Sequence, residues 1–288
     1  MEFLAILISL GLLQLWGSGG PLQRDDWFFS WRDVVLARVS GTPGRIAVLA
    51  VPVVLIGLLL NELEYAGFGL IELVLLLVLL LFSMGRGDLT QAIAQYLSHW
   101  RRGDAEGAFE QLREDGVLEL EEHLVTDPPS MHAWVRRYVY YRSFERLFAV
   151  LFWFVIGGAA GAVLYRLAFL DAECDADADD DEPLPLDVLH WLEWFPVRIL
   201  AISFALTGHF DRCYQAWRRV ALHDDCDSAV LLEVCGNAAL EIGGRMESDD
   251  DEGDRLARGV NEIRQVEDLQ RRTLIVWVVA IAVLEMLF

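Results

Sequence analysis

The chain has no lysine, so its 23 basic residues are all arginine, and 44 acids set a net charge of −21. That deficit excludes a nucleic-acid-binding face, which needs clustered cations to displace phosphate counter-ions. Cysteine is sparse: Cys174, Cys213, Cys226 and Cys235 show no CxxC spacing, and none of the pairings reads as a disulfide framework or zinc site. The cluster HDDCD, residues 223 to 227, contains metal-capable side chains, but consecutive residues cannot all face one ion, and no metal site is expected. β-Strand alternation, a Walker A loop, GxGxxG after a strand, HExxH and GxSxG are all missing, which removes the common catalytic signatures. The acidic run at 171–182 has alternating Asp175, Asp177 and Asp179 but lacks the glycine of a calcium loop. With residues 247–254 it reads as solvated, self-repelling chain.

What the chain does have is apolar sequence, 55% of it. Long apolar runs occur at 46–60, 67–84, 147–170 and 273–288, each about long enough to cross a 30 Å hydrocarbon layer with tilt and flanking residues. Two weaker segments are 1–16 and 192–208. The first offers Glu2 where a signal peptide has a cation, and its GSGG is a poor cleavage site, so it reads as a retained membrane helix. The expected fold is an all-α polytopic integral membrane bundle of four long spans plus two shorter membrane elements, with helical cytoplasmic regions. Its expected parts are N-terminal membrane helices at 1–84, a helical cytoplasmic region at 85–146, membrane helices at 147–208 with an acidic external loop at 171–191, a helical cytoplasmic region at 209–272, and a C-terminal membrane helix at 273–288. With this arrangement 21 of the 23 arginines fall in 17–45, 85–146 and 209–272. The positive-inside rule then makes those segments cytoplasmic and both termini external, in a multi-pass membrane protein whose first partner is the lipid bilayer.

Within 85–146, DLTQAIAQYLSHWRR puts Ile93, Tyr96, Leu97 and Trp100 on one helical face, and AEGAFEQLREDG ends at a glycine suited to a C-cap. DPPS starts a helix that runs without a breaker into 147–170, which predicts one long rod. Trp134, Tyr138, Tyr140 and Tyr141, with Arg136, Arg137 and Arg142, read as an interface anchor. Within 209–272, DRCYQAWRRVAL and SAVLLEVCGNAALEIGG are helices, the second capped by Asp227 or Ser228 and closed by Gly243–Gly244.

Two motifs stand out. GGAAG places Gly157 and Gly161 four apart, with Gly158 beside them, for close helix packing, and Tyr165–Arg166 follows. Arg166 either snorkels to the interface or pairs with a buried acid. In LHWLEWFPVRILAISFALTGH, Pro196 suits a first helical turn, which leaves a short membrane helix from Pro196 to His209 and puts Arg198 within reach of Glu193 or the headgroups.

These stretches resemble the AmpE family, inner-membrane regulatory proteins associated with β-lactamase induction, which is in turn similar to the cobalamin-pathway membrane enzymes that make adenosylcobinamide phosphate. The resemblance rests on LFW followed by Gly157–Gly158, Gly161, Tyr165–Arg166 and Pro196-x-Arg198, with a looser echo in GNAALEIGG. It covers about 60 residues in pattern. Where the synthases have an Asn-Thr-Leu-Asp run and further acids, this chain has Leu167–Leu170, His190 and Glu193. The resemblance therefore implies a regulatory membrane protein, more a modulator than an enzyme, without cofactor, working beside the cytoplasmic anhydromuramyl-peptide amidase. It makes Arg166, Arg198 and His190 the ligand-binding candidates. The alternative it leaves is an ATP- and Mg²⁺-dependent amide-forming enzyme with Arg198, Glu145, Asp211 and Asn237 as catalytic candidates. A transporter is disfavoured by the lack of an inverted repeat of spans.

Overall fold

The computed structural model describes residues 1–16, 24–85, 89–114, 127–176, 184–221, 226–243 and 252–287, and all regular structure among them is helical. In chain order the helices are α1 (Glu2–Trp16), α2 (Asp26–Leu36), α3 (Thr42–Tyr65), α4 (Gly69–Ser83), α5 (Leu89–Trp100), α6 (Ala105–Glu114), α7 (Pro128–Ser143), α8 (Ala149–Ala176), α9 (Leu184–Thr207), α10 (Phe210–Val220), α11 (Ser228–Leu240) and α12 (Glu252–Leu287). A π-helical turn, Phe144–Phe148, joins α7 to α8. The chain divides into two compact units. The first joins Met1–Gly87, Glu145–Pro196 and Ile281–Phe288; the second joins Asp88–Phe144 and Val197–Ala280.

Three helical stretches are long and apolar enough to cross a membrane by length and composition: Thr42–Tyr65, Pro128–Cys174 and Val188–Thr207. Glu2–Leu15 and Gly69–Ser83 are shorter apolar helices. The tally differs from the expected four long spans and two short ones. The run at 67–84 yields only the 15-residue α4, the C-terminal run is the end of the 36-residue α12, and the weak segment 192–208 lies in the 24-residue α9. Helix α3 turns Val48 and Leu49 toward Phe28, Phe82, Val163 and Leu167, while Ile46, Val54, Leu55, Leu58 and Leu59 stay exposed. A helix apolar on every side with one face uncovered is suited to lipid on that face.

The expected rod from α7 through residue 170 is not one straight helix. Gly157 (φ −122°, ψ 15°) and Gly158 (φ 61°, ψ −158°) leave helical geometry, the second at a positive φ that residues with a Cβ resist. Beyond them the chain doubles back. Gly161 sits directly on the carbonyl of Trp153, so that any Cβ there would strike it, whereas eight residues of straight helix span about 12 Å. The expected straight helix with Gly157 and Gly161 on one face is therefore not formed. Gly157–Gly158 make the turn, and Gly161 admits the returning arm.

The reversal also joins segments far apart in the chain. The returning arm delivers Asp171 to Arg32, Nε to Oδ1 2.7 Å. The start of the acidic stretch thus lies against α2.

Pro196 does not open a helix; it lies inside α9. A proline has no N–H for the carbonyl four residues back, which here is Leu192. Trp153 Nε1 donates to that carbonyl instead, at 2.9 Å. With the orphan acceptor filled, His190–Trp194 continues as helix into Pro196.

In the second unit the sequence signals work largely as expected. Ile93, Tyr96, Leu97 and Trp100 are all buried on α5. Asp127 caps α7 in a reciprocal box with Ser130, and Asp227 accepts from the Ala229 and Val230 N–H groups to start α11. Helix α11 ends earlier than predicted, at Leu240, with Glu241 rather than a glycine in the left-handed region (φ 56°). Two members of the expected interface anchor point inward: Arg136 and Tyr140 are buried, while Trp134 and Tyr138 stack at 5.4 Å and Arg142 lies 5.6 Å over the Tyr138 ring.

Candidate functional site

The reversal at Gly157–Gly158 builds a charge cluster in the first unit. The π-helical turn presents Glu145 and the returning arm presents Arg166, residues that a straight helix would hold about 31 Å apart. Arg166 Nη1 donates to Glu145 Oε1 at 2.7 Å, and its Nη2 lies 3.7 Å from Asp25 Oδ2. The guanidinium also sits 5.2 Å from the Phe169 ring. Arg166 is 2% exposed and Glu145 1%, so Arg166 is the buried pair and not the snorkelling cation. Beside it the Tyr165 hydroxyl donates to Glu193 Oε1 at 3.1 Å. Charges taken this far out of water persist only when paired and hydrogen-bonded. The cluster ties α2, the π turn and the returning arm together, and its guanidinium is already engaged by two acids of the chain itself.

The remaining candidates lie elsewhere. His190 is half-buried on α9 with its ring 6.1 Å from that of Trp191, and no hydrogen bond or ion pair joins it to Arg166. Arg198, in the second unit, is buried; its Nε donates to the Ala221 carbonyl at the end of α10 (2.6 Å), and its own carbonyl accepts from Trp217 Nε1 (3.1 Å). A cation on the last carbonyl of a helix satisfies an orphan acceptor and complements the helix dipole. Asp211 is exposed in the first turn of α10. Asn237 lies on α11 with its Oδ1 buried and unpartnered, while its main-chain carbonyl accepts from Ile242. Neither Asp211 nor Asn237 bonds to Arg198, and Glu145 belongs to the other unit. Among the described residues no group of three His, Cys, Asp or Glu side chains is placed to hold a metal ion. His223, Asp224 and Asp225 of the HDDCD cluster lie outside the described residues.

Sequence reasoning missed a second buried network, in the second unit. His132 Nδ1 bonds the Tyr96 hydroxyl (3.0 Å), and its Nε2 lies 3.5 Å from Glu262 Oε2. Arg136 Nη1 donates to the same Glu262 oxygen (2.6 Å), its Nη2 is 3.7 Å from Glu233, and Arg137 Nε donates to Glu233 at 2.6 Å. The Trp100 ring lies 4.8 Å from the His132 ring, and Gly259 has no side chain because the Trp100 indole fills that space. Burial raises the Glu262 carboxyl, but the bond to His132 and the Arg136 charge outweigh it and hold the group below the usual carboxylate value. Burial pushes the Tyr96 hydroxyl well above its usual value, so it stays a protonated donor or acceptor. One signal was available: Arg136 falls on the helical stripe of His132, Val135, Val139 and Tyr140, all of which are buried.

Residues 1–286 match the model of a family described as regulatory signalling modulator protein AmpE. The chain is 29% identical over 205 residues to the cobalamin biosynthesis protein CobD of Stutzerimonas stutzeri, covering 66% of this chain and 62% of that protein. It is 27% identical over 193 residues to the CobD of Chromobacterium violaceum, covering 62% and 58%. Protein AmpE of Shigella flexneri is 38% identical over 82 residues, 26% of this chain and 29% of that protein. The matches thus span about three fifths of the two cobalamin relatives and under a third of the third. No solved structure matches the chain. The family model covers nearly every residue, and the chain belongs to the AmpE family of regulatory signalling modulator proteins.

Proposed function

We propose that this protein is a multi-pass inner-membrane modulator of β-lactamase induction and peptidoglycan-recycling signalling. It would work beside the cytoplasmic anhydromuramyl-peptide amidase and need no cofactor. The observation that carries the reading is the family match over residues 1–286. The Arg166–Glu145–Asp25 cluster supports it: a guanidinium neutralised by the chain's own acids suits a fixed scaffold better than a site for an anionic substrate. Clean deletion of the gene is expected to change β-lactam-induced β-lactamase expression, with restoration by the wild-type gene in trans. Unchanged induction would refute the reading.

The second reading is an ATP- and Mg²⁺-dependent amide-forming enzyme, favoured by the two cobalamin biosynthesis relatives. Its candidate residues remain Arg198, Asp211, Asn237 and Glu145. Calorimetry of Mg²⁺-ATP on detergent-purified protein separates the readings: saturable binding that folded Arg198→Ala loses supports the enzyme, and its absence leaves the modulator.

A further inference from the structure

Helices α10 and α11 run antiparallel, and their register is fixed where α10 begins and α11 ends. The His209 N–H donates to the Ala239 carbonyl at 2.8 Å, a Cβ on Gly208 would strike that same carbonyl, and Arg212 Nε lies 3.1 Å from Glu241. One turn further into α10 stands Cys213, and one turn back along α11 stands Cys235. In an antiparallel pair, a turn of about 6 Å taken along each helix keeps the two residues level. The two cysteines therefore face each other, although their spacing in the chain carries no thiol motif.

Both are fully buried, and their contact is direct. Cys213 Sγ donates to the Ala201 carbonyl at 3.5 Å, and the Cys235 thiol donates to the Cys213 sulfur. That bond favours the Cys213 thiolate and, against burial, holds its ionisation below the ordinary thiol value; the same bond and burial push Cys235 up. One thiol is thus disposed to attack while the other keeps its proton. Residues 208–212, just ahead of Cys213, are exposed, so opening of the first turn of α10 admits a small oxidant. Cys226, half-buried ahead of α11, directs its thiol to the Asp227 carbonyl at 3.7 Å.

We propose that Cys213 and Cys235 form a reversible oxidation site, a dithiol that a hydroperoxide converts to a disulfide tying the start of α10 to the end of α11. With hydrogen peroxide, the Cys213 thiolate attacks one oxygen and the O–O bond breaks, leaving a sulfenic acid and a hydroxide that takes up the displaced thiol proton as water. The Cys235 sulfur then attacks the sulfenic sulfur, the S–S bond forms, and the hydroxyl leaves with the Cys235 proton as a second water. In a reducing compartment the pair rests as thiols, and a thiol reductant reverses the bond. Oxidation also removes the proton that Cys213 gives to Ala201, so a contact with α9 is exchanged for a covalent tie to α11.

The test treats full-length protein in detergent with hydrogen peroxide, blocks the remaining thiols with N-ethylmaleimide after unfolding, and reads tryptic peptides by mass spectrometry. Cleavage after Arg212 and Arg218 isolates Cys213 in residues 213–218, and cleavage after Arg219 and Arg245 leaves Cys226 and Cys235 in residues 220–245. The expected product joins these two peptides with loss of two hydrogens, forms equally in Cys226→Ser, and is separated by dithiothreitol. The oxidised protein should exchange the amides of the first turn of α10 and the last turn of α11 at least about tenfold more slowly. Linkage that Cys226→Ser abolishes would overturn the proposal. So would recovery of Cys213 and Cys235 as maleimide adducts at a dose that oxidises Cys226 completely, which would leave the two thiols as core packing. Linkage with unchanged exchange would overturn the tie between the helices.

Discussion

Replacing Arg166 with glutamine removes the guanidinium that lies 2.7 Å from Glu145 and 3.7 Å from Asp25, in a position 2% exposed. Glu145 keeps its burial and loses its nearest cation. Breaking a buried pair from one side costs about 3–5 kcal/mol, most of it the desolvated charge left behind. Glu145→Gln is milder, at about 1–3 kcal/mol, because Asp25 still faces the guanidinium and the amide oxygen can still accept a hydrogen bond. In the double variant the more deeply buried acid is no longer charged and only Asp25 loses its cation, so the cycle should close with a coupling of at least about 1.5 kcal/mol. The assay is reversible unfolding of detergent-solubilised protein by a graded increase in denaturing detergent, followed by circular dichroism and by proteolysis between Glu145 and Asp171. Additive single variants, or an Arg166→Gln cost under about 1 kcal/mol, would refute the view that this pair locks the two arms.

Three other substitutions probe separate parts of the argument. Gly161→Val puts a branched side chain on the Trp153 carbonyl and should cost at least about 1–3 kcal/mol in the same assay; a neutral result would mean that the arms do not touch there. Arg198→Met keeps bulk but removes the bond to the Ala221 carbonyl, an expected loss of about 1.5–3 kcal/mol that hydrogen exchange should localise to the last turn of α10. The folded-state carboxyl of Glu262 is held below its ordinary value of 4.5, so its contribution is present above about that pH and fades as pH falls through the depressed value. Amide exchange across α5, α7 and α12 should therefore accelerate below pH 4.5 in wild type, and Glu262→Gln should flatten that acid limb; an identical pH profile in the variant would assign the acid sensitivity elsewhere.

Much of the second unit is written locally. The period of Ile93, Tyr96, Leu97 and Trp100 determined the buried face of α5, and Asp127 with Pro128 and Ser130 determined where α7 begins, because caps and amphipathic stripes act within one or two turns. Family membership was legible for a similar reason, since Gly157–Gly158, Gly161, Tyr165–Arg166 and Pro196-x-Arg198 stand in order along the chain. Direction was not legible. A Gly-Gly pair in an apolar run is compatible with close packing of a straight helix and with a reversal, and the choice depends on whether a returning arm finds partners such as Glu145 and the Trp153 carbonyl. Likewise Pro196 reads as a helix start until Trp153 is seen filling the Leu192 carbonyl from another segment.

By itself, then, the sequence determined the helical state, the apolar character and most helix starts, which depend on neighbours a few residues away. Only the tertiary structure decided that Arg166 meets Glu145, that Asp171 meets Arg32 and that His132, Arg136, Glu233 and Glu262 form one network. Each of those contacts joins residues well apart in the chain, and a buried charge settles wherever folding brings its counter-charge, a separation no local pattern encodes.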